Sequence, residues 1–303
     1  MPQEKTLLQK RIESGKPIII AEISPPKAAD AARVRSLAKS YAGKVHALGV
    51  SDNREGVSMS ALVSASLILA GNVEPILHVS TRDRNRTALI SDCLGAHALG
   101  IRNILCTSGT HQALSPYHSA KSVFDIDATI LLQTCKSLDT SAALIGEDKI
   151  AGPLHFCLGG VASPFADPLE LQLTRCAQKI FVGAEFLITQ PVFDLERFGL
   201  WWNEITARGL QEKTAFIAGV KVLTDAQSAK AFAEKRPLPL VPGAIIERLA
   251  SKSGSGGAKE GIAIAGEIIE KLSACKGLRG FEIVCDDHEA GIEVLNLLKS
   301  KLG

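Results

Sequence analysis

Residues 74–107 read EPILHVSTRDRNRTALISDCLGAHALGIRNILCT, and this stretch decides the fold. Its two ends, 74–79 and 101–107, are apolar runs of strand length, and the segment between them, 83–99, carries a helical pattern. A strand, a helix and a second strand in so short a span make one unit of a parallel sheet. Working outward, the same alternation recurs. Further strands are predicted at 18–23, 45–50, 155–161, 186–189, 214–220 and 281–285. Most are continuously apolar rather than alternating, as parallel strands buried on both faces are. Helices are predicted at 28–40, 56–70, 125–138, 168–182, 194–208, 225–235 with the stretch to 271, and 288–302. Asp83 and Asp194 stand where N-caps belong, and Gly100 and Gly183 where helices end. Eight strand-then-helix units, with no GxGxxG after the first strand, favour an α/β (β/α)8 TIM barrel over an open doubly wound sheet. The whole chain, 1–303, then forms one barrel domain, with an extra N-terminal helix at about 6–14.

Composition narrows the function classes. The formal net charge is +2, charged residues make up 22% and aromatic residues 5%. No basic run marks a nucleic-acid face and few rings are at hand for base stacking. No apolar stretch reaches the length of a membrane span, and the first sixteen residues lack the apolar core of a signal peptide. Neither nucleic acid nor a membrane is expected as a partner. The seven cysteines include no CxxC pair, so neither a disulfide framework nor a zinc site is expected, and no metal. Buried thiols suit a reducing, cytoplasmic setting.

Several residues at predicted strand ends carry candidate chemistry. Glu22 lies in IIIAEISPP at 18–26; burial of a carboxyl in an apolar strand disfavours its charged form, which suits a general acid, although a strand-end Glu can also simply meet solvent. His78 ends the third strand, where a neutral imidazole binds a ligand or serves the core equally well. TRDRNR at 81–86 reads most simply as a capped helix start with a solvated charged face. Ser108, Gly109 and Thr110 leave the fourth strand; a glycine there lets a planar ring or a phosphate approach the backbone. Gln190, in LITQPVFD at 187–194, offers a donor and an acceptor together. Two long connections stand out, 108–124 and 236–257, the first a site candidate and the second most simply a flexible turn at 253–257.

In order along the chain, AEISPPK at 21–27, GVSDN at 49–53, the run at 78–105, SPFADPLELQL at 163–173, the helix through Lys179 to Gly183, LITQPVFD at 187–194 and AGV at 218–220 resemble the methylenetetrahydrofolate reductase family, most closely its short bacterial and archaeal type without a regulatory domain. The resemblance implies a non-covalent flavin, usually FAD with FMN also open, lying across the strand C-termini. It implies reduction of 5,10-methylenetetrahydrofolate to 5-methyltetrahydrofolate. Electrons would come from NAD(P)H or from an electron-donating protein subunit, in a homo-oligomer or a hetero-complex. Glu22 matches the family's general acid. Gln190 matches its folate-binding glutamine, with Phe193 and Thr110 beside the folate. Ser51, His78, Ser108, Gly109, Thr110 and Lys179 match flavin-contacting positions.

This chain departs from the family pattern at three places. Thr110 stands where the family usually has Asp, Lys221 follows the seventh strand where an apolar residue is more usual, and Gln172 replaces an acidic flavin contact of some members. Two rival readings follow: a folate-binding barrel subunit with weak or no flavin chemistry, and a methyltransferase acting on a folate or a corrinoid.

Overall fold

In a computed structural model that describes residues 5–114, 117–142, 150–235, 241–252 and 255–302, eight parallel strands close into a barrel in sequence order. The strands are β1 (Ile18–Ile23), β2 (Ala47–Val50), β3 (Pro75–Ser80), β4 (Asn103–Thr107), β5 (Cys157–Ala162), β6 (Phe186–Pro191), β7 (Ala215–Val222) and β8 (Leu278–Cys285). Closure is direct: Ile18 to Glu22 of β1 pair in register with Gly280 to Val284 of β8.

The helices are α1 (Leu7–Glu13), α2 (Ala31–Tyr41), α3 (Ala61–Ala70), α4 (Arg86–Ala98), α5 (Ala128–Thr140), α6 (Leu169–Phe181), α7 (Leu195–Ala207), α8 (Ala226–Lys235), α9 (Gly243–Ala250), α10 (Ser255–Ser273) and α11 (His288–Leu302). The continuous apolar strands now have their reason. Ile19, Ala21 and Ile23 of β1 face outward onto α2 and its neighbours, whereas Ile18 and Ile20 face the barrel interior. The interior also takes Ala47, Ile76, Leu105, Cys157, Phe186, Ile188, Ala215 and Ile217, a packed core rather than a pore.

The helix α1 seals the base of this core. Thr6 caps it with a reciprocal capping box through Gln9, and fully buried Leu8 joins the interior cluster. The carboxylate of Glu74 accepts from the amides of Leu7 (2.6 Å) and Leu8 (2.9 Å) and from Asn103 Nδ2 (2.8 Å), an anion at a helix N-terminus.

Three local expectations need correction. Asp83 does not cap α4; Asn85 does, accepting from the Ala88 amide at 3.1 Å. The Asp83 carboxylate is taken instead by Arg82 Nε and Nη2, each at 2.8 Å, and by Gln112 Nε2 at 3.0 Å. The connection predicted over 236–257 contains a helix, α9, and Ser255–Gly257 open α10 rather than forming a turn; residues 236–240 and 253–254 lie outside the described ones. Asp194 does cap α7, and Gly100 and Gly183 follow α4 and α6 in the left-handed conformation. Among the seven cysteines, none forms a disulfide; six are buried and Cys275 is half-buried. No described helix is long and apolar enough to cross a membrane.

Candidate functional site

Side chains alternate along a strand, so Ile18, Ile20 and Glu22 share the inward face of β1, Ile76 and His78 that of β3, and Ile188 and Gln190 that of β6. Inward positions near strand C-termini therefore form the layer above the apolar core. That layer is polar, and it floors a cavity of about 520 Å³ lined by Glu22, His78, Gln190 and Glu282, among others. One wall comes from α6, whose Gln172, Arg175, Cys176 and Lys179 recur at three- and four-residue spacing and so lie on one face.

Four side chains at the floor form a charged cluster. Glu22 is 6% exposed; its Oε1 accepts a short hydrogen bond from Arg54 Nη1, and its Oε2 lies 3.9 Å from His78 Nδ1. His78 is pushed down to about 4, chiefly by burial, with Glu22 opposing and Arg54 adding to the effect. It is therefore a neutral imidazole at physiological pH, and its buried Nε2 meets no partner among the described residues. Its seat depends on Gly49 of β2, where an added Cβ would stand 3.0 Å from Nε2. Glu282 of β8 is 5% exposed, and burial first, then the charge of Glu22, raises it well above its ordinary value, against the opposing field of Arg54. Its Oε1 also has no hydrogen-bond partner among the described residues. Burial works against the Arg54 guanidinium, but Glu22 and Glu282 outweigh it and keep it charged. One ligand-type atom each from Glu22, His78 and Glu282 converge within 4.8 Å, a spacing that suits a cation, and the Arg54 guanidinium pairs with Glu22 there.

The neutral state of His78 gives a pH dependence with a definite sign. Between pH 6.5 and about 4 the unfolded chain takes up a proton that the folded chain refuses. Stability supplied by the neutral ring is thus present above pH 6.5 and lost as pH falls through that window, by up to about 3 kcal/mol. The difference in unfolding free energy between wild type and His78→Gln, followed by denaturant titration across pH 7 to 4, is expected to shrink as pH falls. A constant difference would show that the ring is not held neutral.

Around the cluster, Ser51 is buried and its hydroxyl donates to that of Ser24 at 3.1 Å. Gln190 keeps a buried Oε1 without a partner among the described residues, while its backbone is set by Thr189, whose hydroxyl donates to the Gln190 carbonyl (2.8 Å) and accepts from the Gly219 amide (3.0 Å). Lys179 donates to the Val161 carbonyl at 2.5 Å, and burial lowers its pKa. Ser108, Gly109 and Thr110 all line the cavity. Gly109 has φ +76°, and an added Cβ would stand 2.3 Å from Ser80 Oγ, so the turn itself requires the glycine.

TRDRNR is solvated only in its second half, at Asn85 and Arg86. Arg82 is 3% exposed and donates to the Thr110 carbonyl (2.9 Å) and the Asn53 carbonyl (3.0 Å). Arg84 bonds Asp92 (2.5 Å) and, more closely, Asp52, which also accepts from the Ser80 amide (2.9 Å). These arginines stitch the loops after β2, β3 and β4 together and so fix the cavity rim.

The structure brings Glu22, Ser51, His78, Ser108, Gly109, Thr110, Lys179 and Gln190 to one cavity. Phe193 is not among the lining residues. It falls on the outward parity of β6, with Leu187, and its ring is buried in the core with its centroid 6.0 Å from that of Phe232. Lys221 likewise leaves the cavity: its ammonium reaches Asp286 at 2.6 Å and lies 5.9 Å over the Phe232 ring. The sequence reading missed Arg54 and Glu282. Glu282 carries the signal that singled out Glu22, an acid inside an apolar strand; Arg54 sits in a loop, where no periodicity points to it.

No curated protein sequence matches the chain. Among solved structures, the fold is similar to that of an uncharacterised protein from Clostridium thermocellum that binds two copies of 5-methyl-5,6,7,8-tetrahydrofolic acid. That likeness has a TM-score of 0.66 at 15% identity and covers 98% of this chain and 100% of that one. It is also similar to an F420-dependent secondary alcohol dehydrogenase in complex with an F420–acetone adduct, with a TM-score of 0.54 at 12% identity over 95% of this chain and 99% of that one. At such identities the likeness is one of fold. The sequence itself says more: the sequence model of methylenetetrahydrofolate reductase matches residues 7–296, and the chain belongs to that family.

Proposed function

We propose that the protein reduces the one-carbon unit of 5,10-methylenetetrahydrofolate with a bound flavin. The observation that carries this reading is the juxtaposition, in a chain of this family, of the buried Glu22 carboxyl and the unpartnered Gln190 amide oxygen on one cavity. A pterin edge presents donors and acceptors side by side, and the amide of Gln190 offers the complementary pair. The solved relative in fold that binds 5-methyltetrahydrofolic acid supports a folate ligand.

The residues present fit a flavin. His78, with a buried Nε2 that meets no partner among the described residues, lines a ligand-sized space, and Lys179 and Arg175 place cationic donors along one wall. Ser51, His78, Ser108, Gly109, Thr110 and Lys179 would hold it. When bound, the flavin supplies the hydride. The chain's own residues do the rest. Gln190 orients the pterin, and the floor cluster delivers a proton through Glu22 to the substrate's N10, so that the five-membered ring opens to an electrophilic iminium. The packed barrel interior beneath closes the site to water from below.

The test is direct. The purified protein is expected to show the visible absorbance band of a flavin, and under anaerobic conditions with a reductant to convert methylenetetrahydrofolate to methyltetrahydrofolate, followed by mass spectrometry. A protein that binds methyltetrahydrofolate in calorimetry, yet neither retains nor takes up flavin, would establish the folate-binding reading instead. Neutral Thr110 is the observation that favours that alternative. Its carbonyl is held by Arg82, and the residue lines the cavity. Thr110→Asp is expected to tighten methylenetetrahydrofolate binding or raise its turnover by several-fold; an unchanged Kd and kcat would show that the substitution is compensated elsewhere.

A further inference from the structure

The floor cluster holds two buried carboxyl groups and one guanidinium, beside an imidazole that stays neutral. With both carboxyls ionised it would carry an uncompensated buried negative charge, which is costly. Arg54 hydrogen-bonds Glu22, so Glu22 is the carboxylate with a counter-ion. Glu282 has no such bond to Arg54, and one of its oxygens is buried without any partner among the described residues. We propose that Glu282 stores the cluster's proton and recharges Glu22 with it during turnover, a role that rests on the folate-reductase reading above.

Glu22, gripped by a guanidinium, is poorly suited to hold the proton at rest, and Glu282 removes that difficulty. The O–H bond of Glu282 breaks and an O–H bond forms at Glu22; the acceptor atoms of the two lie within 4.8 Å, a gap closed by a small side-chain movement or one water. Glu22 then gives the proton to the substrate nitrogen and returns to its pair with Arg54. Glu282, left as a carboxylate, is now also stabilised by Arg54, and it regains a proton from solvent at the cavity mouth. Charge is conserved at each stage, and no redox partner enters.

The charged and titratable groups facing Glu282 are Glu22 from β1, Arg54 from the loop after β2 and His78 from β3. From β7, Lys221 is committed to Asp286. The helices α10 and α11 pack on the outer side of the barrel. Burial and the charge of Glu22 both raise Glu282, in keeping with a stored proton.

Infrared difference spectroscopy on the intact protein reads the proton itself. Near neutral pH the wild type is expected to show a protonated carboxyl C=O stretch that shifts in D2O and is absent from the isosteric Glu282→Gln. Glu282→Gln is also expected to lower kcat for folate reduction by roughly 10–100-fold, with the basic limb of its pH profile displaced, while the Kd for methyltetrahydrofolate stays within about threefold. A band that survives Glu282→Gln overturns the proposal, as does an unaltered pH profile. The spectrum needs no turnover, so the band reports where the proton resides even in a protein that does not reduce folate. Should Glu282→Gln fold poorly, the stability of His78→Gln decides, since that variant lacks the opposing contribution of the neutral imidazole. A raised Glu282 gives stability that is full below 4.5 and falls as pH rises through its folded value, and a flat dependence in that variant refutes the stored proton.

Discussion

Glu22→Gln is expected to lower kcat for methylenetetrahydrofolate reduction by roughly 10²–10⁴-fold, the span that general acids contribute. The amide fills the same space but cannot pass on a proton. Arg54, released from its pair, can turn to Glu282, so the cluster keeps its cation and the barrel its fold. Reduction of the bound flavin by the electron donor does not call on this acid and is expected to proceed nearly as in wild type. Stopped-flow measurement of the two half-reactions separates them. Full folate turnover in Glu22→Gln would remove the acid from the mechanism; loss of both half-reactions would show that the side chain supports the flavin site rather than the chemistry.

Arg54→Met is expected to give the largest loss of stability at the site, about 3 kcal/mol at neutral pH, the low end for breaking a buried ion pair from one side. The low end applies because the Arg54 side chain is 21% exposed, so water screens part of the pair. Methionine preserves much of the aliphatic stem, which isolates the charge from the packing. Two buried acids are then left facing each other, and the penalty is theirs to relieve by taking up protons. The gap between wild type and variant, measured by denaturant unfolding, is therefore expected to narrow as pH falls toward the ordinary carboxyl range. A gap that stays constant with pH would mean that the variant lost packing, not charge balance.

Most of the barrel is legible in the sequence because burial on both faces makes parallel strands continuously apolar, and the predicted β1 matches the observed strand to the residue. Helix starts are less secure where charges compete. At 81–86 two acid or amide candidates sit two residues apart, and only the three-dimensional demand of Arg82 for Asp83 leaves Asn85 to cap the helix. The same blindness applies to the arginines, since pairing across loops after different strands has no local signature. At the site, inward strand positions such as Glu22, His78 and Gln190 are readable because position on a strand dictates direction. Phe193 yields to the same count, since it lies three residues beyond inward Gln190 and so shares the outward parity of Leu187. Glu282 is within reach: an ionisable residue in FEIVC raises the same question as the one in IIIAEI.

The short helix lodged under the barrel, with Leu8 buried in the interior cluster and Glu74 fastening its first amides, has a kinetic corollary. A vessel stoppered at one end has a single doorway. On the proposed reading, electron donor and folate would share the strand C-terminal opening and the one cavity beneath it, and their use in turn, each product departing before the next reactant arrives, is the expected result. Initial-rate plots for the two substrates should accordingly run parallel rather than converge.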